Sequence, residues 1–143
     1  MQDALYPCLW FDVLAHDAAD FYCSVFPESE IVSKTPYVAI FRLNGRKFMA
    51  LNGGPEFAFN EAVSFVVTCT DQEEIDYYWE KLTDGGSEGK CGWLKDKFGV
   101  SWQVVPAILG ELMSDAEKAP KVMYAFMQMK RLVIADLIAA LQD

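Results

Sequence analysis

The sequence has few of the residues from which metal sites and disulfide frameworks are built. It contains one histidine, His16, and its four cysteines, Cys8, Cys23, Cys69 and Cys91, form no CxxC pair. Catalytic divalent ions are usually held by about three imidazole or carboxylate ligands, and structural zinc by closely spaced cysteines. We therefore expect buried, reduced thiols that pack as small hydrophobes. We interpret His16, between a predicted strand and a predicted helix, as a surface or capping residue.

Positive charge is also scarce. Twelve Lys and Arg residues stand against 21 Asp and Glu residues, which gives a formal net charge of −9. The averaged field of such a chain repels phosphate backbones and anionic lipid headgroups. No stretch reaches about 18 consecutive apolar residues, and no basic region precedes a long apolar run. We expect a cytoplasmic protein that binds neither nucleic acid nor membrane.

Hydrophobic and aromatic residues, in contrast, are plentiful, at 52% and 14% of the 143 residues. A chain of this length and composition can bury a proper core without a metal or a disulfide. We therefore expect a single domain over residues 1–143.

The first half of the chain predicts a strand, a helix and two further strands. In the helix, apolar side chains recur at helical spacing until Pro27 ends the pattern. The last two strands flank Asn44-Gly45, a dipeptide that tolerates positive φ and favours a hairpin. The predicted elements are a strand over residues 8–13, a helix over 17–26, and strands over 37–43 and 47–52.

The same order of elements returns in the second half. Thr70 and Glu73 have the spacing of a capping box at the start of the helix, and Gly85-Gly86 follow its end. The predicted elements are a strand over residues 63–69, a helix over 70–82, and strands over 91–94 and 100–105. Each half alone is a small sheet with a helix on one face, and two such halves can curve together into a cup.

The C-terminal tail predicts one long helix. Residues 120–142 begin with Pro120, which suits a first helical turn, and contain no later glycine or proline. Apolar residues cover much more of this helix than one stripe, so it must be buried on most sides. Its covering is either its own domain or a second subunit.

Three segments carry a resemblance to a known family, and the tail supports it. They are LWFDVLAHDAADFYCSVFPESEI, FMALNGGPEFAFNEAVSFVVTCTDQEEIDYYWEKL and CGWLKDKFGVSWQVVP. They resemble the PhnB-like branch of the glyoxalase/bleomycin-resistance/dioxygenase, or vicinal oxygen chelate, superfamily, whose members often carry the name 3-demethylubiquinone-9 3-methyltransferase. The resemblance implies an α+β fold of two βαβββ modules, over about residues 5–55 and 61–106, that form a cupped mixed sheet. It also implies a closing helix over about residues 119–142 and a homodimer.

The resemblance also implies where a site lies. In metalloenzymes of this superfamily, four ligands, usually His, Glu or Gln, lie on the first and last strands of the two modules and face into the cup. The matching positions here are Cys8 or Trp10, Asn52, Ser64 and Gln103. This set has neither histidine nor carboxylate, so we expect no metal and no other cofactor.

An apolar cup with a few convergent polar groups suits a small organic molecule. The tryptophans of the predicted strands can stack on a flat ligand, and the polar side chains can fix its orientation. The candidate ligand-binding residues are Trp10, Asp12, Asn52, Ser64, Trp93, Ser101 and Gln103.

The methyltransferase name implies S-adenosylmethionine, which is usually bound by a glycine-rich turn between a strand and a helix. Gly53-Gly54 precede a proline and no predicted helix, and Gly85-Gly86 follow a helix. The residues therefore do not support that chemistry.

Three functions stay open at this point. The leading one is a small-molecule-binding protein with its ligand in the cup, with or without enzymatic activity. The second is a metal-dependent lyase or dioxygenase with Asp12, Asn52 and Gln103 as makeshift ligands. The third is a dimeric scaffold or regulator in which the cup is vestigial and the methionine-rich tail is the working surface.

Overall fold

The computed structural model describes residues 3–142, which form two compact units divided between Phe59 and Asn60. The division falls between the two modules predicted from sequence. The α+β fold of two βαβββ modules is confirmed, and each unit contains one four-stranded mixed sheet.

The first unit is a βαβββ module. In its sheet, the order is β1-β4-β3-β2, with β1 parallel to β4 and the remaining pairs antiparallel. Its elements are β1 (Cys8–Phe11), α1 (Ala15–Val25), β2 (Glu30–Lys34), β3 (Val38–Leu43) and β4 (Arg46–Asn52). Asn44 and Gly45 have φ values of 51° and 78°, which suit the tight hairpin predicted between β3 and β4.

Helix α1 covers one face of the first sheet. Three alanines allow it to approach the strands closely, and Tyr22 stacks on Phe41 at 6.3 Å between ring centroids. Leu9 of β1 and Ala50 of β4 are buried beneath it. Side chains at alternate positions therefore point to the opposite face of the sheet.

The second unit repeats this arrangement with shorter hairpin strands. The sheet order is β5-β8-β7-β6, with β5 parallel to β8. Its sheet and helix elements are β5 (Ser64–Cys69), α2 (Gln72–Thr83), β6 (Ser87–Glu88), β7 (Trp93–Lys95) and β8 (Ser101–Pro106). Buried Ile75, Tyr78, Trp79 and Leu82 form the stripe of α2 that faces the sheet.

The N-terminus of α2 is capped one residue later than predicted. The N-cap is Asp71, whose side chain accepts a hydrogen bond of 2.9 Å from the backbone N–H of Glu74. Glu74 Oε1 accepts in turn from the backbone N–H of Thr70. The pairing of Thr70 with Glu73 was wrong because Asp71, an equally good cap, starts the helix one position further on.

The C-terminal region is helical, as expected, but it is not one helix. Its elements are α3 (Ile108–Ser114), α4 (Ala119–Met127), α5 (Ile134–Ala139) and a 3-10 turn (Ala140–Gln142). Gln72 of α2 accepts from the backbone N–H of Ile134 and donates to the carbonyl of Leu132. The backbone N–H groups of Cys91 and Gly92 donate hydrogen bonds to the carbonyls of Met129 and Lys130. These tertiary bonds engage the carbonyls of Met129, Lys130 and Leu132 and the N–H of Ile134, between α4 and α5, in place of helical bonds.

The tail is also less buried than its composition predicted. Leu137 and Val122 are buried, but Met123 is 43%, Met127 57% and Tyr124 72% exposed. The break before α5 lets two short helices bury one stripe each, so their other faces remain on the surface. Within residues 3–142, every helix is too short or too polar to cross a membrane.

Candidate functional site

The face of the second sheet opposite α2 carries most of its polar side chains. The register of β5, β8 and β7 places two cross-strand rows there, which together we call the polar face. One row consists of Ser64, Ser101 and Lys95, and the next of Val66, Gln103 and Trp93. Four of the candidate ligand-binding residues predicted from sequence are therefore on one face of one sheet.

Two of these residues are joined by a hydrogen bond. Gln103 Nε2 donates to Ser64 Oγ at 2.9 Å across the parallel pair of β8 and β5. Because Ser64 accepts this bond with its oxygen, its own hydroxyl hydrogen remains a donor. Val66, beside Gln103, is 57% exposed. The face thus combines polar groups held in place with an apolar contact.

Ser101 lies between Ser64 and Lys95 in the first row. Its side chain is 1% exposed, and its hydroxyl has no hydrogen-bond partner among the described residues. Buried polar groups in native proteins are usually paired, because an unpaired group has lost water without compensation. This hydroxyl therefore marks the place on the polar face where a hydrogen bond is missing.

Lys95 forms an ion pair with Glu61, a residue of the segment that enters β5. Lys95 Nζ is 2.6 Å from Glu61 Oε1, and the two side chains are 42% and 64% exposed. The ammonium group holds the pKa of the Glu61 carboxyl below its ordinary value through a hydrogen bond and its charge. The sequence analysis missed both residues. Lys95 follows Trp93 by two positions, so strand alternation already placed it on the same face.

A buried carboxylate fixes the turn that leads into β8. Asp96 is 3% exposed, and its Oδ1 accepts from the backbone N–H groups of Phe98 and Val100 at 2.8 and 3.1 Å. Its Oδ2 accepts from Trp102 Nε1 at 2.8 Å. Asp96 thereby ties the end of β7 to the start of β8, where Ser101 lies.

In the first unit, the face opposite α1 is mainly apolar. Its apolar side chains, which we call the apolar face, are Cys8, Trp10, Val38, Ile40, Met49 and Leu51; Arg42 and Lys47 lie on the same side at the hairpin end. The candidate Trp10 belongs to it and donates from Nε1 to the carbonyl of Gly54 at 2.9 Å. Its indole contacts Phe57 edge to face, with centroids 5.0 Å apart. The candidate Asp12 lies exposed just beyond the end of β1.

The placement of Asn52 on a ligand-facing row was wrong. Asn52 pairs with buried Phe11 in the register of β4 and β1, so its side chain is on the α1 side of the sheet. Its Oδ1 accepts from the backbone N–H of Ala15 at 2.8 Å, and its Nδ2 donates to the carbonyl of Pro36 at 3.2 Å. Asn52 thus supplies the first turn of α1 with an acceptor, which Leu14 at the N-cap position does not.

A comparison with protein families shows to which family this chain belongs. The model of the 3-demethylubiquinone-9 3-methyltransferase family matches residues 3–105, more than two thirds of the chain. The chain belongs to this family. It lies in the PhnB-like branch of the vicinal oxygen chelate superfamily.

Solved structures agree with this assignment. The PhnB protein from Bacillus cereus is 36% identical, with a TM-score of 0.67, over 73% of this chain and 99% of its own. The fosfomycin resistance protein FosX from Listeria monocytogenes, solved with Mn(II) and sulfate, is 14% identical and shares the fold. Its TM-score is 0.60, over 80% of this chain and 97% of its own. A Pseudomonas aeruginosa protein is 20% identical, with a TM-score of 0.59, over 71% and 96%. No curated protein matches the sequence.

The 3-demethylubiquinone-9 3-methyltransferase family name implies S-adenosylmethionine, but the glycines of this chain do not form its usual cradle. Gly53-Gly54 follow β4 and lead into a turn rather than a helix, and Gly53 is packed against the Trp10 indole. Gly85-Gly86 follow α2, and a side chain at Gly86 would overlap the backbone of Lys95 and Asp96. Neither pair connects a strand to a helix N-terminus, so these residues do not fit that cofactor.

The described residues also lack the cluster of ligands that the metalloenzymes of the wider superfamily use to bind their metal ion. Among residues 3–142, the structure brings together no group of three His, Cys, Asp or Glu side chains that could hold an ion. His16 lies in the first turn of α1, and its Nε2 is 2.6 Å from the carbonyl oxygen of Thr35. Of the makeshift ligands Asp12, Asn52 and Gln103, Asn52 is instead hydrogen-bonded to the first turn of α1.

The C-terminal helices of this family member form a separate apolar groove of about 560 Å³. It is lined by the apolar residues Pro120, Tyr124, Ala125, Ala139 and Ala140 and by the charged residues Lys121 and Asp136. The groove lies beyond residue 105, where the family match ends.

Proposed function

We propose that this protein binds a small organic molecule on the polar face of its second sheet. The observation that carries the proposal is the arrangement of Ser64, Trp93, Ser101 and Gln103 on one face, in two adjacent rows. A binding site usually combines an apolar surface with a few fixed polar groups. Here the apolar surface comes from Trp93 and Val66.

The arrangement explains how a ligand would be oriented. Gln103 is held by Ser64 at 2.9 Å, so its amide has a fixed position before a ligand arrives. Asp96 fixes the start of β8, so the hydroxyl of Ser101 also has a defined position. Groups that are ordered in advance lose little conformational entropy on binding, which favours affinity.

A thermal-shift screen of aromatic, quinone-like and antibiotic compounds tests this function. A ligand at a hundred times its Kd stabilises the folded state by about 2.7 kcal/mol, which is readily measured as a rise in Tm. We expect at least one compound to stabilise the protein and Gln103→Ala to abolish the shift. Gln128→Ala, which changes an exposed glutamine outside the polar face, is the matched control. If no compound shifts the Tm of the wild type, the proposal is wrong.

We also propose that the protein is a cytoplasmic homodimer. Cys8, Cys23, Cys69 and Cys91 are all free thiols, which suits a reducing compartment. The exposed apolar side chains of α4 support a contact with a second copy.

The C-terminal groove is lined mainly by apolar side chains of α4 and α5, and a two-fold axis can pair such a surface with itself. Light scattering should report a dimer that Tyr124→Glu and Met127→Glu convert into a monomer. Lys118→Glu, an exposed change outside the groove, should leave the dimer intact. A monomeric wild type would contradict the dimer.

A further inference from the structure

The ion pair between Lys95 and Glu61 spans the middle strand of the polar face. In the sheet, β8 lies between β5 and β7, and Ser101 of β8 pairs with Ser64 on one side and Lys95 on the other. Glu61 precedes Ser64 by three residues. An ion pair of 2.6 Å from β7 to the segment entering β5 therefore links the two strands that flank β8, near the end of β8 that begins with Ser101.

Ser101 has two unusual properties at this position. It lies between Ser64 and Lys95 in the first row, and it is only 1% exposed. The carboxylate of Glu61 is engaged by Lys95, and Ser101 Oγ has no partner among residues 3–142. An acceptor placed between Lys95 and Ser101 would satisfy both groups.

We propose that the polar face takes a small carboxylate-bearing ligand, for which Glu61 is the internal stand-in. The ligand carboxylate displaces Glu61 from Lys95 Nζ and accepts hydrogen bonds from the hydroxyls of Ser101 and Ser64. Its apolar part lies along the second row, against Trp93 and Val66. This inference rests on the proposed function and adds the chemical class of the ligand and the role of Glu61.

The chemistry of the first row supports an anion rather than a neutral group. Lys95 offers an ammonium, and Ser101 and Ser64 offer hydroxyl donors, side by side on neighbouring strands. Hydrogen bonds to charged acceptors are about twice as strong as those between neutral groups. The net charge of −9 repels anions in general, so selection depends on this local cluster of donors.

The experiment compares 1-naphthoate with its neutral analogue 1-naphthamide by titration calorimetry and Trp fluorescence. We expect the wild type to bind the carboxylate at least tenfold more tightly than the amide. Glu61→Gln should tighten naphthoate binding about three- to fivefold, because an exposed ion pair no longer competes. Lys95→Met should remove the preference for the carboxylate. The matched controls are Glu117→Gln and Lys118→Met, exposed positions on the C-terminal region.

Ser101→Ala gives a second measurement that does not depend on the probe. Because the variant removes a buried, unpaired hydroxyl, the Tm of the ligand-free protein should rise by about 3 °C. The same variant should weaken naphthoate binding about tenfold. Its circular dichroism spectrum should match that of the wild type.

Some outcomes would overturn the inference and leave the proposed function intact. These are equal affinity for naphthoate and naphthamide, weaker naphthoate binding by Glu61→Gln, or a lower Tm for Ser101→Ala. Binding of neutral compounds alone in the thermal-shift screen would have the same meaning. A screen without any hit would instead contradict the proposed function itself.

Discussion

The two units have the same strand order and connection pattern, yet the faces opposite their helices differ in chemistry. In the first sheet, this face carries mainly apolar side chains, such as Trp10, Ile40 and Leu51, and its basic residues Arg42 and Lys47 lie at the hairpin end. In the second, the corresponding face carries hydroxyl, amide and ammonium groups. One backbone plan therefore supports either face, because strand alternation separates the core side from the other side and leaves the latter free to vary.

The hairpins of the two units also differ in polarity, and the more polar one is again in the second unit. The hairpin of β3 and β4 turns on Asn44 and Gly45, whose backbones tolerate positive φ. The connection from β7 to β8 also contains a glycine at positive φ, Gly99 at 90°, but the carboxylate of Asp96 organises it further by accepting hydrogen bonds from Phe98, Val100 and Trp102. The first hairpin thus relies on local backbone preference, whereas the second adds a buried charged group.

The largest effect should come from breaking that dependence. Asp96→Ala leaves the N–H groups of Phe98 and Val100 and the indole of Trp102 without their acceptor, so we expect a loss of about 3 kcal/mol or more. Asn44→Ala, at φ 51° in the other hairpin, should cost about 1 to 2 kcal/mol. Urea denaturation measures both. Equal losses would show that the two hairpins are stabilised in the same way.

A second substitution tests whether the apolar face is as closely packed as its residues suggest. A methyl group at Gly53 would overlap the Trp10 indole, so Gly53→Ala should cost about 2 kcal/mol and shift the tryptophan emission. Gly110→Ala has no atom within reach and lies inside α3, so it should stabilise the protein by up to about 1 kcal/mol. A harmless Gly53→Ala would mean that Trp10 moves without cost.

A third pair separates a structural amide from a binding amide. Asn52→Ala removes the acceptor for Ala15 N–H and should cost about 1 kcal/mol, without affecting ligand-induced stabilisation. Gln103→Ala breaks only its bond to Ser64 and should change stability less, yet it should abolish ligand binding. Urea titration and the thermal-shift screen together distinguish them. If Asn52→Ala also abolished ligand binding, Asn52 would be a binding residue after all.

Sequence patterns predicted helices α1 and α2 and six of the strands because these elements are encoded locally, whereas no pattern identified β2 or β6. The hairpin at Asn44-Gly45 follows from turn chemistry, and the position of Ser64 and Gln103 on one face of the sheet follows from a period of two. The side of the sheet on which Asn52 lies could not be predicted, because it depends on the register of β4 with β1, which pairs Asn52 with buried Phe11.

The tail was harder to predict for a related reason. Its composition favours one continuous helix, but the bonds of Gln72 to Leu132 and Ile134 link positions 60 and 62 residues apart. Such contacts leave no periodic signal in the sequence. Ser101 was predicted as a site residue from sequence, but Glu61 was not. Glu61, which forms an ion pair with Lys95, lies outside any strand, so strand alternation could not assign it to the polar face.

The smallest expected effect concerns two cysteines that lie on opposite kinds of face. Cys69, on the α2 side of β5, is fully buried, and burial, together with the charges of Glu74 and Asp71, raises the pKa of its thiol to about 12. Cys8 lies exposed on the apolar face. At pH 9, Ellman's reagent should therefore label Cys8 in the folded protein and reach Cys69 only in urea.

The raised pKa of Cys69 also makes the free energy of unfolding depend on pH. The unfolded thiol ionises near pH 8.5 while the folded one stays protonated, so the unfolded state binds fewer protons above that pH. Stability should consequently fall as the pH rises from 8 to 10, and Cys69→Ala should flatten this part of the profile. If the slope is unchanged in Cys69→Ala, another group titrates there. Rapid labelling of Cys69 in the folded protein would show that the core beneath α2 opens more readily than its packing implies.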